Sequence, residues 1–135
     1  MVVNKLDDAL FLQQQALTLR ANRQQLLAGN IANADTPNYQ AKDFDFAAAL
    51  HDALVGPSAG NLALATTSPR HLPGSMLAGS PRLLYRQPVQ PSADGNTVNM
   101  DVERAQFAEN AIQYEAGVSF LTQQIRSLLA AVQAQ

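Results

Sequence analysis

The chain of 135 residues has no cysteine and no tryptophan, few aromatics and little charge of either sign. Without cysteine there is no disulfide framework, no thiol nucleophile and no thiolate metal site, while the compartment stays open because a periplasmic protein can also lack disulfides. Aromatics make up 6% of residues and much of the 47% apolar content is alanine, so each residue offers little area for burial and a compact enzyme-like interior is not expected. The nine lysines and arginines are scattered singly and the net charge is −2, which leaves no basic face to neutralise a phosphate backbone and excludes nucleic acid as an expected partner. No stretch approaches the roughly 20 apolar residues of a bilayer span. Met1-Val-Val-Asn-Lys-Leu-Asp-Asp lacks the basic and apolar regions of a secretory signal, so no cleaved leader is expected. Phosphate loops and nucleophile elbows are missing too. His51, beside Asp52, and His71, after Pro69-Arg70, have no second ligand or base nearby in sequence and read as surface or capping residues. Asp43 and Asp45, and Asp7 and Asp8, read as solvated acids or helix-dipole complements. The chain is therefore expected to be non-catalytic, with no metal and no cofactor.

What is present is a strong division by composition. Residues 55–97 carry five of the seven glycines and six of the seven prolines, a density that forbids a long helix and interrupts sheet ladders. Only Asn61 to Thr67 and Arg82 to Val89 suit short extended segments there, the second because Leu83, Leu84 and Tyr85 favour strand geometry. Residues 98–135 hold the clearest signal. Phe107, Ala111, Tyr114, Val118, Leu121, Ile125, Leu128 and Val132 follow at spacings of 4, 3, 4, 3, 4, 3 and 4, an unbroken heptad seam on a helix. Asn99 or Asp101 caps its start, Asp101 and Glu103 set negative charge against its dipole, and Gly117 beside Ala116 leaves room for a neighbouring backbone. From Asn99 to Val132 the helix would run about 50 Å.

Residues 1–35 repeat the design less cleanly. Leu6, Leu10, Leu17, Leu27 and Ile31 share a heptad frame with Val3, but Gln13, Arg20 and Gln24 interrupt it. That helix should end between Ala32 and Asp35, because Thr36-Pro37-Asn38-Tyr39 is a turn with proline at its second position and asparagine at its third. Residues 36–54 then hold this turn and a short amphipathic helix, Phe44 to Leu54. The expected fold is mainly α, one structural domain in which long N- and C-terminal helices pair as a coiled-coil-like layer, with an irregular or small β-containing middle. Two arrangements fit the seams: a hairpin closed on itself, and stripes completed by other molecules. The position of the seams at the two ends of the chain, and the poverty of the middle, favour the second.

The segment Leu26-Leu-Ala-Gly-Asn-Ile-Ala-Asn-Ala-Asp-Thr-Pro-Asn-Tyr-Gln-Ala-Lys-Asp-Phe-Asp-Phe46 resembles the signature of the flagellar axial rod and hook proteins, in which an N-terminal helix ends in Asn-x-Ala-Asn-x-x-Thr-Pro-x-Tyr. The matching positions are Asn30, Ala32, Asn33, Thr36, Pro37 and Tyr39. The continuation into Ala-x-Asp-Phe, the Thr66-Thr-Ser-Pro-Arg-His71 stretch and Asp94-Gly-Asn-Thr-Val-Asn-Met-Asp101 extend the likeness to the proximal rod members over nearly the whole chain. One departure is Asn38, where the family often has glycine; asparagine keeps access to the left-handed region. The resemblance implies a structural subunit of the proximal rod whose terminal helices line a narrow export channel and stack helically, with the middle facing outward. It implies as partners further copies of the chain, other rod proteins, the junction protein at the rod base and the gate of the flagellar type III export apparatus, and a periplasmic rod location reached without a cleaved signal. It also implies that Phe46 and Leu50, an aromatic and an aliphatic residue four apart, dock on that gate; the same pair would pack a small helix once folded. Another axial or junction subunit of the same system, and a coiled-coil adaptor or secretion chaperone that does not polymerise, fit the residues less fully.

Overall fold

The structure, a computed structural model, describes residues 2–55, 81–88 and 92–133, with side chains from residue 10 onward in the first helix. The elements are α1 (Val2–Ala32), β1 (Lys42–Asp43), α2 (Phe46–Val55), β2 (Leu84–Tyr85) and α3 (Met100–Gln133). The mainly helical fold with two long paired helices and a small sheet in the middle is therefore as expected. The short helix begins at Phe46 rather than Phe44, and the extended pair Lys42–Asp43 is an element that the periodicity did not reveal. The extended segment expected at Asn61 to Thr67, His71 and the side chain of Leu6 lie outside the described residues.

Each helix starts and stops for a local reason. Asp45 caps α2, its Oδ1 accepting from the amides of Ala47 at 2.9 Å and Ala48 at 3.1 Å. Asn99 caps α3 in the same way, accepting from Asp101 and Val102. At the end of α1 the Asn33 amide side chain donates to the Gly29 carbonyl at 2.8 Å, and Thr36 Oγ1 donates to Asn33 Oδ1 at 3.2 Å. In the turn that follows α1, the carbonyl oxygens of Asn33, Ala34 and Thr36 face Asn96, whose Nδ2 lies 3.0, 2.8 and 2.9 Å from them. A side chain some sixty residues away in sequence thus ties down the exit from the helix. The turn beyond closes with the Tyr39 amide donating to the Thr36 carbonyl at 3.3 Å, and Asn38 adopts φ 60°, the left-handed conformation that its place in the turn requires.

The two long helices run antiparallel, as their cross-pairs show: Asn30 with Glu103, Gln24 with Asn110, Arg20 with Gln113 and Leu17 with Gly117. A Cβ at Gly117 would meet Leu17 Cδ2 at 2.9 Å, so the missing side chain is what lets the helices approach there. α2 and α3 each touch α1 but not each other. β1 and β2 pair antiparallel, Lys42 opposite Tyr85 and Asp43 opposite Leu84. Among the described residues the buried apolar set is small: Leu19, Leu27, Ala41 and Phe44. No helix among them is long and apolar enough to cross a membrane.

Polar contacts close the neck where the chain leaves the hairpin and returns to it. Asn38 N donates to the Asp94 carbonyl, Thr97 N to that of Tyr39, and Ala41 N to Thr97 Oγ1. Gly95 holds φ 71° directly against Asn38, whose Oδ1 would lie 2.7 Å from an added Cβ. Gly95→Ala is therefore expected to lower the unfolding free energy by roughly 1–3 kcal/mol, and Asn38→Gly, which keeps the turn, by less than about 1 kcal/mol; urea titration followed by circular dichroism measures both.

Candidate functional site

Below the turn, the motif asparagine at the end of α1 becomes the centre of a closed polar cluster. Asn30 has no solvent exposure, and every hydrogen-bonding site of its amide is used. Nδ2 donates to the Lys42 carbonyl at 2.8 Å and to Glu103 Oε2 at 3.1 Å, while Oδ1 accepts from Lys42 N at 3.0 Å and Tyr39 Oη at 3.3 Å. One side chain thereby joins α1, the turn, β1 and α3. Motif residues Asn33 and Thr36 finish the helix, Pro37 and Ala32 stand exposed beside it, and Tyr39 reaches back to Asn30.

Glu103 is likewise fully buried, and its second oxygen receives Arg86 Nη1 at 2.6 Å. Arg86 Nη2 also reaches Asp43 Oδ2 and Gln106 Oε1, each at 2.6 Å. From α1, Arg23 takes Asp43 as a fork, Nε to Oδ1 at 3.1 Å and Nη2 to Oδ2 at 3.0 Å. Two carboxylates and two guanidinium groups so neutralise one another at the junction. Burial alone would raise the Asp43 carboxyl; the Arg23 fork, the Phe44 amide and Arg86 outweigh it and hold Asp43 below the ordinary aspartate range. Hydrogen bonding to Asp43 raises Arg23 in turn.

Asp43 is thus not the solvated acid expected from sequence, and Glu103, in the first turn of α3 as expected, is in addition buried: both are ion-paired members of the junction. The missed partners, Arg23 and Arg86, carried one usable signal. Arg23 lies seven residues before Asn30, on one helix face, and Glu103, Asn110 and Gly117 recur at the same interval.

That interval also marks the line along which α3 meets α1. Glu103, Asn110, Gln113 and Gly117 make the contacts, Asn110 Nδ2 donating to the Arg20 carbonyl at 2.9 Å and to Gln24 Oε1 at 2.6 Å. The apolar seam lies one residue further round, about 100° away. Phe107, Ala111, Leu121 and Leu128 are half-buried, but Tyr114, Val118 (41% exposed), Ile125 (42%) and Val132 (76%) face outward, as do Ile112, Phe120 and Leu129. On α1, Leu27 is fully buried, whereas Leu10, Leu17 and Ile31 are half-buried. Between the helices an open groove of about 340 Å³ is lined by Ala21, Gln24, Gln25, Ala111, Tyr114 and Glu115. Phe46 and Leu50 are half-buried on α2. Nothing in this arrangement pairs a nucleophile with a base; it offers a rigid junction and a long exposed stripe.

The sequence profile of the family described as flagella basal body rod protein matches residues 12–40, which take in α1 beyond its first turns and the motif turn. Similarity to curated proteins spans the chain. The flagellar basal body rod protein FlgB of Salmonella typhimurium is 49% identical over 136 residues, and that of Escherichia coli K12 is 50% identical over 135, each alignment covering 98% of both chains. FlgB of Cereibacter sphaeroides is 44% identical over 128 residues, 95% of this chain and 96% of that one. The chain belongs to the FlgB family of flagellar basal body rod proteins. A FlgB-family chain is a structural rod subunit and not an enzyme, in keeping with the expectation from sequence.

Two measurements check the junction in this FlgB-family fold. Asn30→Asp is nearly isosteric but exchanges two donors for a charge facing Glu103; it is expected to cost about 3–5 kcal/mol in urea unfolding. For acid, the sign follows from the depressed Asp43: its contribution is complete above the ordinary value of 3.8 and is lost as pH falls through the lower folded value. Asp43→Asn should remove that part of the acid dependence in a pH series of thermal melts.

Proposed function

We propose that this subunit builds the proximal rod of the flagellar basal body by completing the outward apolar stripe of α3 against the terminal helices of neighbouring subunits. The observation that carries this reading is the rotation between two seams. The α3 residues that hold α1 are polar or small, while the apolar ones, Tyr114, Val118, Ile125 and Val132, stand on the adjacent face and stay open to solvent. An uncovered apolar strip along a helix of this length is an association surface. Leu10, Leu17, Ile31, Phe107, Ala111, Leu121 and Leu128 flank it, Leu6 belongs to the same heptad frame, and Leu27 supports it from inside the chain.

Because one face of each subunit would meet a different face of the next, the contact is heterologous and extends as an open helical stack. The partners are further copies, the other rod proteins and the junction protein at the rod base, in the periplasmic part of the basal body. Export proceeds through the type III apparatus without a cleaved signal, with Phe46 and Leu50 read by its gate before folding. The motif residues Asn30, Asn33, Thr36 and Tyr39 serve assembly indirectly, by fixing the angle at which the two long helices are presented.

Val118→Asp combined with Ile125→Asp tests the stripe. The expected result is a chain with unchanged helix content by circular dichroism that is still secreted but is absent from isolated basal bodies, in cells that do not swim. Normal swimming by that strain would overturn the reading.

A further inference from the structure

Arg20 on α1 touches both of the other helices. Its guanidinium lies 4.4 Å from the centroid of the Phe46 ring on α2, and its Nη1 donates to Gln113 Oε1 on α3. Burial lowers the Arg20 pKa, as suits a cation partly withdrawn from water between two elements. α2 has no fully buried residue, and its own hold on the fold is correspondingly slight. A second route runs the same way: Asp43, three residues before Phe46, is joined through Arg86 to Glu103 of α3. α1 holds α2 directly and holds Asp43 through Arg23, and the two bridges just described extend that hold to α3.

We infer that α2 is a releasable element whose Phe46 ring is covered by Arg20 only while α3 is docked on α1. With Gln113 in place, the guanidinium is held over the ring, where the attraction of a cation for the aromatic face keeps it. Once α3 leaves, Arg20 loses its anchor on Gln113, Asp43 keeps Arg23 but loses the Arg86–Glu103 link, and the ring opens to other partners. Resting on the reading of Phe46 and Leu50 as the pair docked by the export gate, this makes the pair legible before the C-terminal helix folds back and hidden afterwards, so that a folded subunit is not taken up again.

The absence of tryptophan from the chain supplies the probe. Phe46→Trp introduces a single fluorophore in the full-length protein, and acrylamide quenching reads its cover. Gln113→Ala and Arg20→Ala in that background are each expected to raise the quenching constant about twofold or more. Gln113→Glu, a charged acceptor for Arg20, should lower it, and gives an answer even if the alanine variants unfold. Unchanged quenching in Gln113→Glu would overturn the coupling, and so would folded alanine variants that quench like the parent. Secretion separates the two claims: the coupling predicts increased export of Gln113→Ala and loss of export for Phe46→Ala. If quenching responds but Phe46→Ala is secreted normally, the gate reading and the uptake consequence fall while the tether between α2 and α3 stands.

Discussion

The Glu103 carboxylate has no contact with water, and the centre of the molecule is arranged around supplying it with donors. A buried carboxylate without partners would cost several kcal/mol, so the fold is permitted only where Arg86 and Asn30 arrive together. Arg86 comes from within the proline-rich middle and Asn30 from the end of α1. Satisfying this one group therefore fixes three parts of the chain relative to one another. Area burial contributes little to that specification, since the described apolar core holds only Leu19, Leu27, Ala41 and Phe44. Directional bonds, which tolerate one geometry and few others, do what a larger core does elsewhere.

The same economy separates two tasks on α3. Glu103, Asn110, Gln113 and Gly117 hold the helix to its own chain beside the half-buried Phe107, Ala111, Leu121 and Leu128, and Val118, Ile125 and Val132 are left exposed. Had the apolar seam itself been turned inward, the hairpin would have sealed its stripe and left a polar surface with nothing to recruit. A polar inner line beside an apolar outer one leaves modest internal stabilisation and keeps apolar area on the surface, as the proposed association requires.

Much of the fold was legible in the sequence because it is written locally. Proline and glycine confined to the middle, the cap at Asn99, the turn at Thr36 to Tyr39 and the 3–4 spacing of α3 each follow from backbone chemistry within a few residues. The ion-paired junction was not legible. Arg23, Asp43, Arg86 and Glu103 are dispersed over 81 positions, and nothing local distinguishes a carboxylate that will be buried from one that caps a helix. Orientation escaped for a related reason: heptad spacing locates a stripe on a helix but does not say whether the partner it faces is the same molecule, and here the inner line was the less hydrophobic of the two candidates.

Asn96 holds the end of α1 at the point where the chain returns from its long excursion, and Tyr39 and Thr97 bond across the same place. Chain length beyond a closed neck enters stability only logarithmically, at about 0.6 kcal/mol for each doubling. Insertions and deletions between Val55 and Arg82 can thus be carried at small cost in stability, while the paired helices keep their geometry.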